Sequence, residues 1–106
     1  MDSGIIIYEI ELNGCLNGVY TNEYCDGVIY NEVARKDVQD GKIVGRYNCF
    51  YFDKNNKREN GTLTIGYWRN KKQTYDFSWE VNGKIIFKGK GYQMNQRQIA
   101  AHYWEP

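Results

Sequence analysis

Helix-favouring residues are scarce in this chain. Alanine occurs only at Ala34, Ala100 and Ala101, while valine, isoleucine, threonine and the aromatics are common. That balance argues against a helical domain and favours strands. Proline is absent until Pro106, so no ring interrupts a strand. A basic excess is missing too. The formal net charge is +1, whereas nucleic-acid-binding domains usually carry a clear positive surplus. No stretch approaches the roughly 20 apolar residues of a membrane span. The opening "MDSGIIIYEIEL" has no basic flank and carries Glu9 and Glu11, so it reads as a strand rather than a signal peptide. Cys15, Cys25 and Cys49 make an odd set without a C-x-x-C pair. Neither a zinc site nor a full disulfide framework is indicated, and a reducing cytoplasm is the simplest reading. No phosphate-binding loop, dinucleotide fingerprint, zinc-protease motif, nucleophile elbow or cluster of metal ligands occurs, so no cofactor or metal is expected.

What is present is apolar and aromatic. Apolar residues make up 42% of the 106 residues, enough for the core of one domain spanning 1–106. Ten of the aromatics are tyrosines, which combine apolar area with a polar tip and suit rims and interfaces. The punctuation is Asx-Gly, at Asn13-Gly14, Asn17-Gly18, Asp26-Gly27, Asp40-Gly41, Asn60-Gly61 and Asn82-Gly83, and each reads as a tight turn. Between them the pattern predicts eight strands, at about 5–12, 18–24, 28–36, 42–53, 61–69, 73–81, 84–94 and 98–105. The only helical candidate is "NEVARKDVQD", 31–40.

Register follows from sorting apolar from polar. In "TYDFSWEV", Tyr75, Phe77, Trp79 and Val81 alternate with Thr74, Asp76, Ser78 and Glu80. A three-residue Val81-Asn82-Gly83 loop would set Trp79 against Ile85, Phe77 against Phe87 and Tyr75 against Gly89. An Asn70-Lys71-Lys72 loop would pair Tyr67 with Tyr75, Ile65 with Phe77 and Leu63 with Trp79. A meander of successive antiparallel strands with one apolar face and no helices must curl onto that face. The predicted fold is all-β, a single up-and-down antiparallel barrel of about eight strands.

"NGVYTN", 17–22, is a Gly-x-aromatic strand opening, and "GKGYQMNQRQIAAHYWE", 89–105, completes the meander. In these features the chain resembles the calycins, the superfamily of lipocalins, fatty-acid-binding proteins and avidins. The resemblance implies a barrel, often with a lumen for a small or apolar ligand. Two departures stand out. A strand-like segment, Ile5–Leu12, precedes the Gly-x-aromatic signal, and the tryptophan pattern of biotin-binding avidins is absent. Biotin binding is not implied, and no family site residue carries over.

Alternation places Tyr47, Tyr67, Tyr75 and Tyr103 inside, so these tyrosines are the expected ligand-binding residues. The expected open mouth is the Tyr67–Tyr75 end, with Leu63, Ile65, Phe77, Trp79 and Phe87 plugging the other. The same alternation leaves Phe50, Phe52 and Trp68 outside, as an apolar patch for a homodimer or another protein partner. "GYWRNKK", 66–72, interleaves aromatic and basic residues as single-strand nucleic-acid binders do, but the near-zero charge speaks against that partner. His102 faces outward if Ile99, Ala101 and Tyr103 face in. Glu32 is either outward, the ordinary place for a carboxylate, or inside a polar lumen. Glu32, Asp76, Glu80 and Glu105 are the carboxylates that could supply an acid–base pair, and of these Asp76 and Glu80 read as surface groups opposite lysines. No catalytic residue is assigned. The function expected is non-enzymatic binding of a small, partly apolar ligand in the lumen. The alternatives are a protein-interaction module and an isomerase or cyclase working in the barrel.

Overall fold

The computed structural model describes residues 3–52 and 55–106. Eight strands follow in chain order: β1 (Ser3–Ile10), β2 (Leu16–Asn22), β3 (Tyr30–Arg35), β4 (Gly45–Phe52), β5 (Arg58–Tyr67), β6 (Thr74–Val81), β7 (Lys84–Asn95) and β8 (Gln98–Trp104). Each pairs antiparallel with the next, and β8 returns to β1. The barrel is closed, so no strand is left with an unpaired edge. This is the expected up-and-down architecture. Among the described residues the one helical segment is a single 3-10 turn at Glu23–Cys25. The 31–40 segment is instead the end of β3 and a loop. Among the described residues no helix is long and apolar enough to cross a membrane. Cys15, Cys25 and Cys49 are all free and buried.

The core is built by strict alternation. Tyr75, Phe77 and Trp79 are buried while Asp76 between them is exposed. On β4 Tyr47 and Cys49 are buried and Arg46 and Asn48 exposed. On β8 Ile99, Ala101 and Tyr103 point in, which leaves His102 outside against the Trp104 ring. The β5–β6 register is the one expected, with Leu63, Ile65 and Tyr67 opposite Trp79, Phe77 and Tyr75.

The β6–β7 register differs from expectation. Asn82 and Gly83 form a two-residue turn with φ of 52° and 79°, so Val81 pairs with Lys84 and Glu80 with Ile85. Those two positive φ values are what the favoured primed hairpin turn requires. Such a turn alone would mix apolar and charged faces. A β-bulge between Trp79 and Glu80 repairs the parity, because β7 carries one extra residue, Ile86. Beyond it Trp79 pairs with Phe87, Phe77 with Gly89 and Tyr75 with Gly91. The faces sort as expected, but each partner on β7 is displaced by two residues.

Two of the six Asx-Gly pairs are not turns. Asn17-Gly18 lies within β2 and Asn60-Gly61 within β5. The Gly-x-aromatic signal, Gly18-Val19-Tyr20, therefore sits on the second strand of the barrel rather than the first.

Candidate functional site

Glu32 points into the barrel. Its residue is only 5% exposed, the one buried charged residue among those described. The outward position expected of a carboxylate is wrong here, and the reason lies in the register. Glu32 pairs with Gly18 on β2, and Gly18 pairs on its other side with Tyr8 on β1. A Cβ at Gly18 would stand 2.8 Å from the Tyr8 ring. Without one, the Tyr8 side chain lies flat across β2 and its hydroxyl donates a hydrogen bond to Glu32 Oε2. Trp79 Nε1–H donates to the same oxygen at 3.3 Å. Leu16 and Ala34 flank this row on the inner face, so the parity that buries Ala34 also buries Glu32.

Burial governs the electrostatics. Removal from water pushes the Glu32 carboxyl up to about 7, against the opposing pull of the Tyr8 and Trp79 hydrogen bonds, which favour the carboxylate. Tyr8 is held well above its usual range by the same burial and by the neighbouring Glu32 charge. Burial also raises the Cys49 thiol to about 12, so that sulfur is inert packing rather than a nucleophile.

Above Glu32 a cleft opens at the end of the barrel where β6 meets β7. It is lined by Ile6, Tyr20, Asn22, Tyr51, Trp79, Ile86, Phe87 and Tyr103, with Glu32 at its floor. The β7 bulge shapes it, since Ile86 and Phe87 are consecutive yet both face the cleft. The volume is about 40 Å³, room for a few water-sized groups. The rim is braced by polar contacts directed away from the cleft. Tyr20 Oη donates to the Phe52 carbonyl at 2.8 Å. Tyr103 Oη donates to the Thr21 carbonyl at 3.2 Å and accepts from Asn22 Nδ2 at 2.9 Å. Asn22 Oδ1 in turn accepts from the Tyr24 amide and caps the 3-10 turn. Burial of the Tyr103 ring raises its hydroxyl to about 12.

The four tyrosines expected to bind ligand are not brought together. Tyr103 lines the cleft. Tyr47 and Tyr75 are buried and Tyr67 half exposed at the opposite end. There Tyr47 Oη donates to the Ile43 carbonyl at 2.6 Å, Tyr75 Oη to Gln93 Oε1 at 3.2 Å, and the Tyr67 and Tyr75 rings stack. The loop 36–44 folds over that end. Lys36 Nζ pins it by donating to Asp40 Oδ1, the Lys42 carbonyl and the Val44 carbonyl at 2.7–2.8 Å. The hollow there, lined by Ile10, Leu12, Gln39 and Ile43 among others, is larger at about 220 Å³. Lys36, whose side chain is largely covered, is already committed there, because all three of its donors are used. The cleft is thus at the Val81 end, opposite to the expected mouth, and Trp79 and Phe87 wall it rather than plug it.

The outer aromatics expected to form one patch are also dispersed. Phe52 pairs with Arg58, and Trp68 lies ten residues further along the same chain segment, roughly 30 Å away at about 3.3 Å per residue. Phe50 packs under the Arg58 guanidinium at 4.2 Å, and Trp68 is surrounded by Arg69, Lys71 and Lys90. Exposed apolar groups do adjoin elsewhere, as at Ile5, Ile7 and Val19 on the outer face of β1 and β2.

Tyr8, Tyr20, Asn22 and Ile86 went unassigned in the sequence reading. The available signal was the Gly18–Glu32 pairing, which a β2–β3 register argument would have exposed. A carboxyl that titrates near neutrality in an apolar cleft can hold a cation, accept a hydrogen bond or exchange a proton with a bound molecule. No protein-family model, curated protein or solved structure matches this chain, and its chemistry is read from the geometry alone.

Proposed function

We propose that this barrel binds a small, partly apolar molecule in the cleft above Glu32, without turning it over. The observation that carries this reading is a buried carboxyl at the floor of an aromatic-walled opening. An ionised carboxylate in such a place is costly unless a partner offsets it. Structural carboxylates are normally enclosed, whereas this one borders a space that a ligand can enter. The Trp79 indole N–H touches Glu32 and so reports on the site. A fragment screen followed by nitrogen-15 NMR tests the proposal. Binders should shift the Trp79 indole resonance, and Phe87→Trp, which fills the mouth, should abolish their binding. Binders that leave Trp79 unmoved and survive the Phe87 change would remove the proposal.

A second reading rests on a different observation. Ile7 and Val19 are cross-strand partners, and with Ile5 they stand 41–54% exposed on one outer face. Adjoining exposed apolar groups mark partner surfaces. In that reading the barrel self-associates or docks a protein through β1 and β2. Sedimentation equilibrium would then show a mass above the 12.5 kDa monomer, and Ile7→Lys would return it to the monomer. A monomer at high concentration would remove self-association.

A further inference from the structure

We infer that the molecule taken by the Glu32 cleft is a primary amine, whose ammonium group meets Glu32 and whose apolar body lies in the aromatic groove outside. This rests on the ligand-binding reading and narrows it to a chemical class. Three observations converge on it.

The first is the donor and acceptor inventory. Both hydrogen bonds to Glu32, from Tyr8 and from Trp79, fall on Oε2. Among the described residues Oε1 has no donor and no buried side-chain polar atom is left without a partner, which points this oxygen at the cleft that Glu32 lines. Most donors around it are directed elsewhere. Tyr20 and Tyr103 give their protons to backbone carbonyls, and Asn22 Nδ2 gives one of its two to Tyr103. The cleft therefore offers a carboxylate acceptor and few competing donors. A carboxylate or phosphate ligand would meet repulsion, and a ligand carrying N–H donors would be satisfied.

The second is charge. Among the described residues, no lysine, arginine or histidine lines the cleft. The walls are aromatic instead, from Tyr20, Tyr51, Trp79, Phe87 and Tyr103. Phe87 and Tyr103 meet edge to face at 5.1 Å, and Trp79 and Tyr103 tilt together at 5.6 Å. Ring faces attract a cation, and the attraction grows when water is excluded. The cleft thus supplies a carboxylate and π surfaces, and the ligand supplies the missing positive charge.

The third is size. About 40 Å³ admits an ammonium group and its first carbon, but not a bulky quaternary head. The space continues outward, because Tyr20, Asn22, Tyr51 and Phe87 also line a shallow groove that runs on to Tyr24, Tyr30 and Phe52. An apolar or aromatic tail fits there.

The experiment compares 2-phenylethylamine with its neutral counterpart 2-phenylethanol by calorimetry and by the Trp79 indole resonance. At pH 8, where Glu32 is ionised and the amine still protonated, the amine should bind at least tenfold more tightly. Glu32→Gln should erase that preference. In the unaltered protein the preference should also shrink at pH 5.5, as Glu32 takes up its own proton, so the outcome does not depend on how well the variant folds. Equal binding of the two compounds, or a preference that survives Glu32→Gln, would overturn the amine assignment while leaving a ligand site in place. Binding of neither compound, with no other fragment shifting Trp79, would overturn both.

Discussion

Tyr8 and Glu32 hydrogen-bond across a whole intervening strand, over the bare backbone of Gly18. Three neighbouring strands contribute to this one contact, each residue at the same level of the barrel. The arrangement ties the fold to the site. The closed meander sets the level, the glycine clears the path, and the carboxyl is held at the floor of the cleft.

Gly18→Ala tests that tie. Its new Cβ would press on the Tyr8 ring at 2.8–2.9 Å and on Ile6 Cδ1 at 3.0 Å. Tyr8 must then move and its hydrogen bond to Glu32 weaken. We expect a loss of about 1–3 kcal/mol in a urea titration, the range for overpacking. The Glu32 carboxyl, having lost a bond that favours its charged form, should titrate still higher by carbon-13 NMR. Gly66→Ala is the control, since a Cβ there meets nothing within 4 Å. It should change stability by less than about 0.5 kcal/mol.

The pH dependence of stability follows from the direction of the Glu32 shift. The folded protein holds this proton up to about 7, above the usual 4.5 of the unfolded chain. Between those values the native state binds more protons, so stability falls as pH rises through the window and levels off above it. The full change is on the order of 3 kcal/mol. Glu32→Gln keeps an acceptor for Tyr8 and Trp79 without the titration. Its stability should stay flat where the natural chain loses ground from pH 5 to pH 8, as followed by urea midpoints.

Phe77 stacks between Tyr8 and Trp79, with ring centroids at 6.3 and 5.7 Å, and is 3% exposed. Phe77→Ala should cost about 3–5 kcal/mol, the usual range for a buried aromatic. Asp76→Ala, on the exposed face one residue away, should cost less than about 0.5 kcal/mol. Similar losses for the two would contradict the alternation on which the barrel rests.

The sequence made the barrel legible because its signal repeats. Every strand with one buried face carries the period of two, and the β5–β6 hairpin fixes its register by matching Leu63, Ile65 and Tyr67 to Trp79, Phe77 and Tyr75. The cleft was not legible, for two reasons. One is the bulge at Ile86, a single unpaired residue that leaves no mark in the alternation yet turns two consecutive side chains into the lumen. Without it the Asn82-Gly83 turn looks incompatible with a sorted hairpin, and a longer loop is preferred in error. The other is Glu32. Both faces of "YNEVAR" mix polar and apolar residues, so strand patterning cannot choose between them. Only the β2–β3 register, which sets Glu32 opposite Gly18, decides between them. The tyrosines misled for a related reason. Tyr47 and Tyr75 are inward as alternation requires, but at their end the Lys36-pinned loop and the Gln93 side chain already satisfy their hydroxyls.

A ligand bound as proposed sits on Glu32 inside the barrel. The most direct measurement is the set of nuclear Overhauser contacts between a bound fragment and isoleucine methyl groups. Ile6 and Ile86 line the cleft, while Ile5 and Ile7 face outward on the neighbouring positions of β1. We predict contacts to Ile6 and Ile86 and none to Ile5 or Ile7. Contacts confined to Ile5 and Ile7 would contradict the claim and place binding on the outer wall of the barrel.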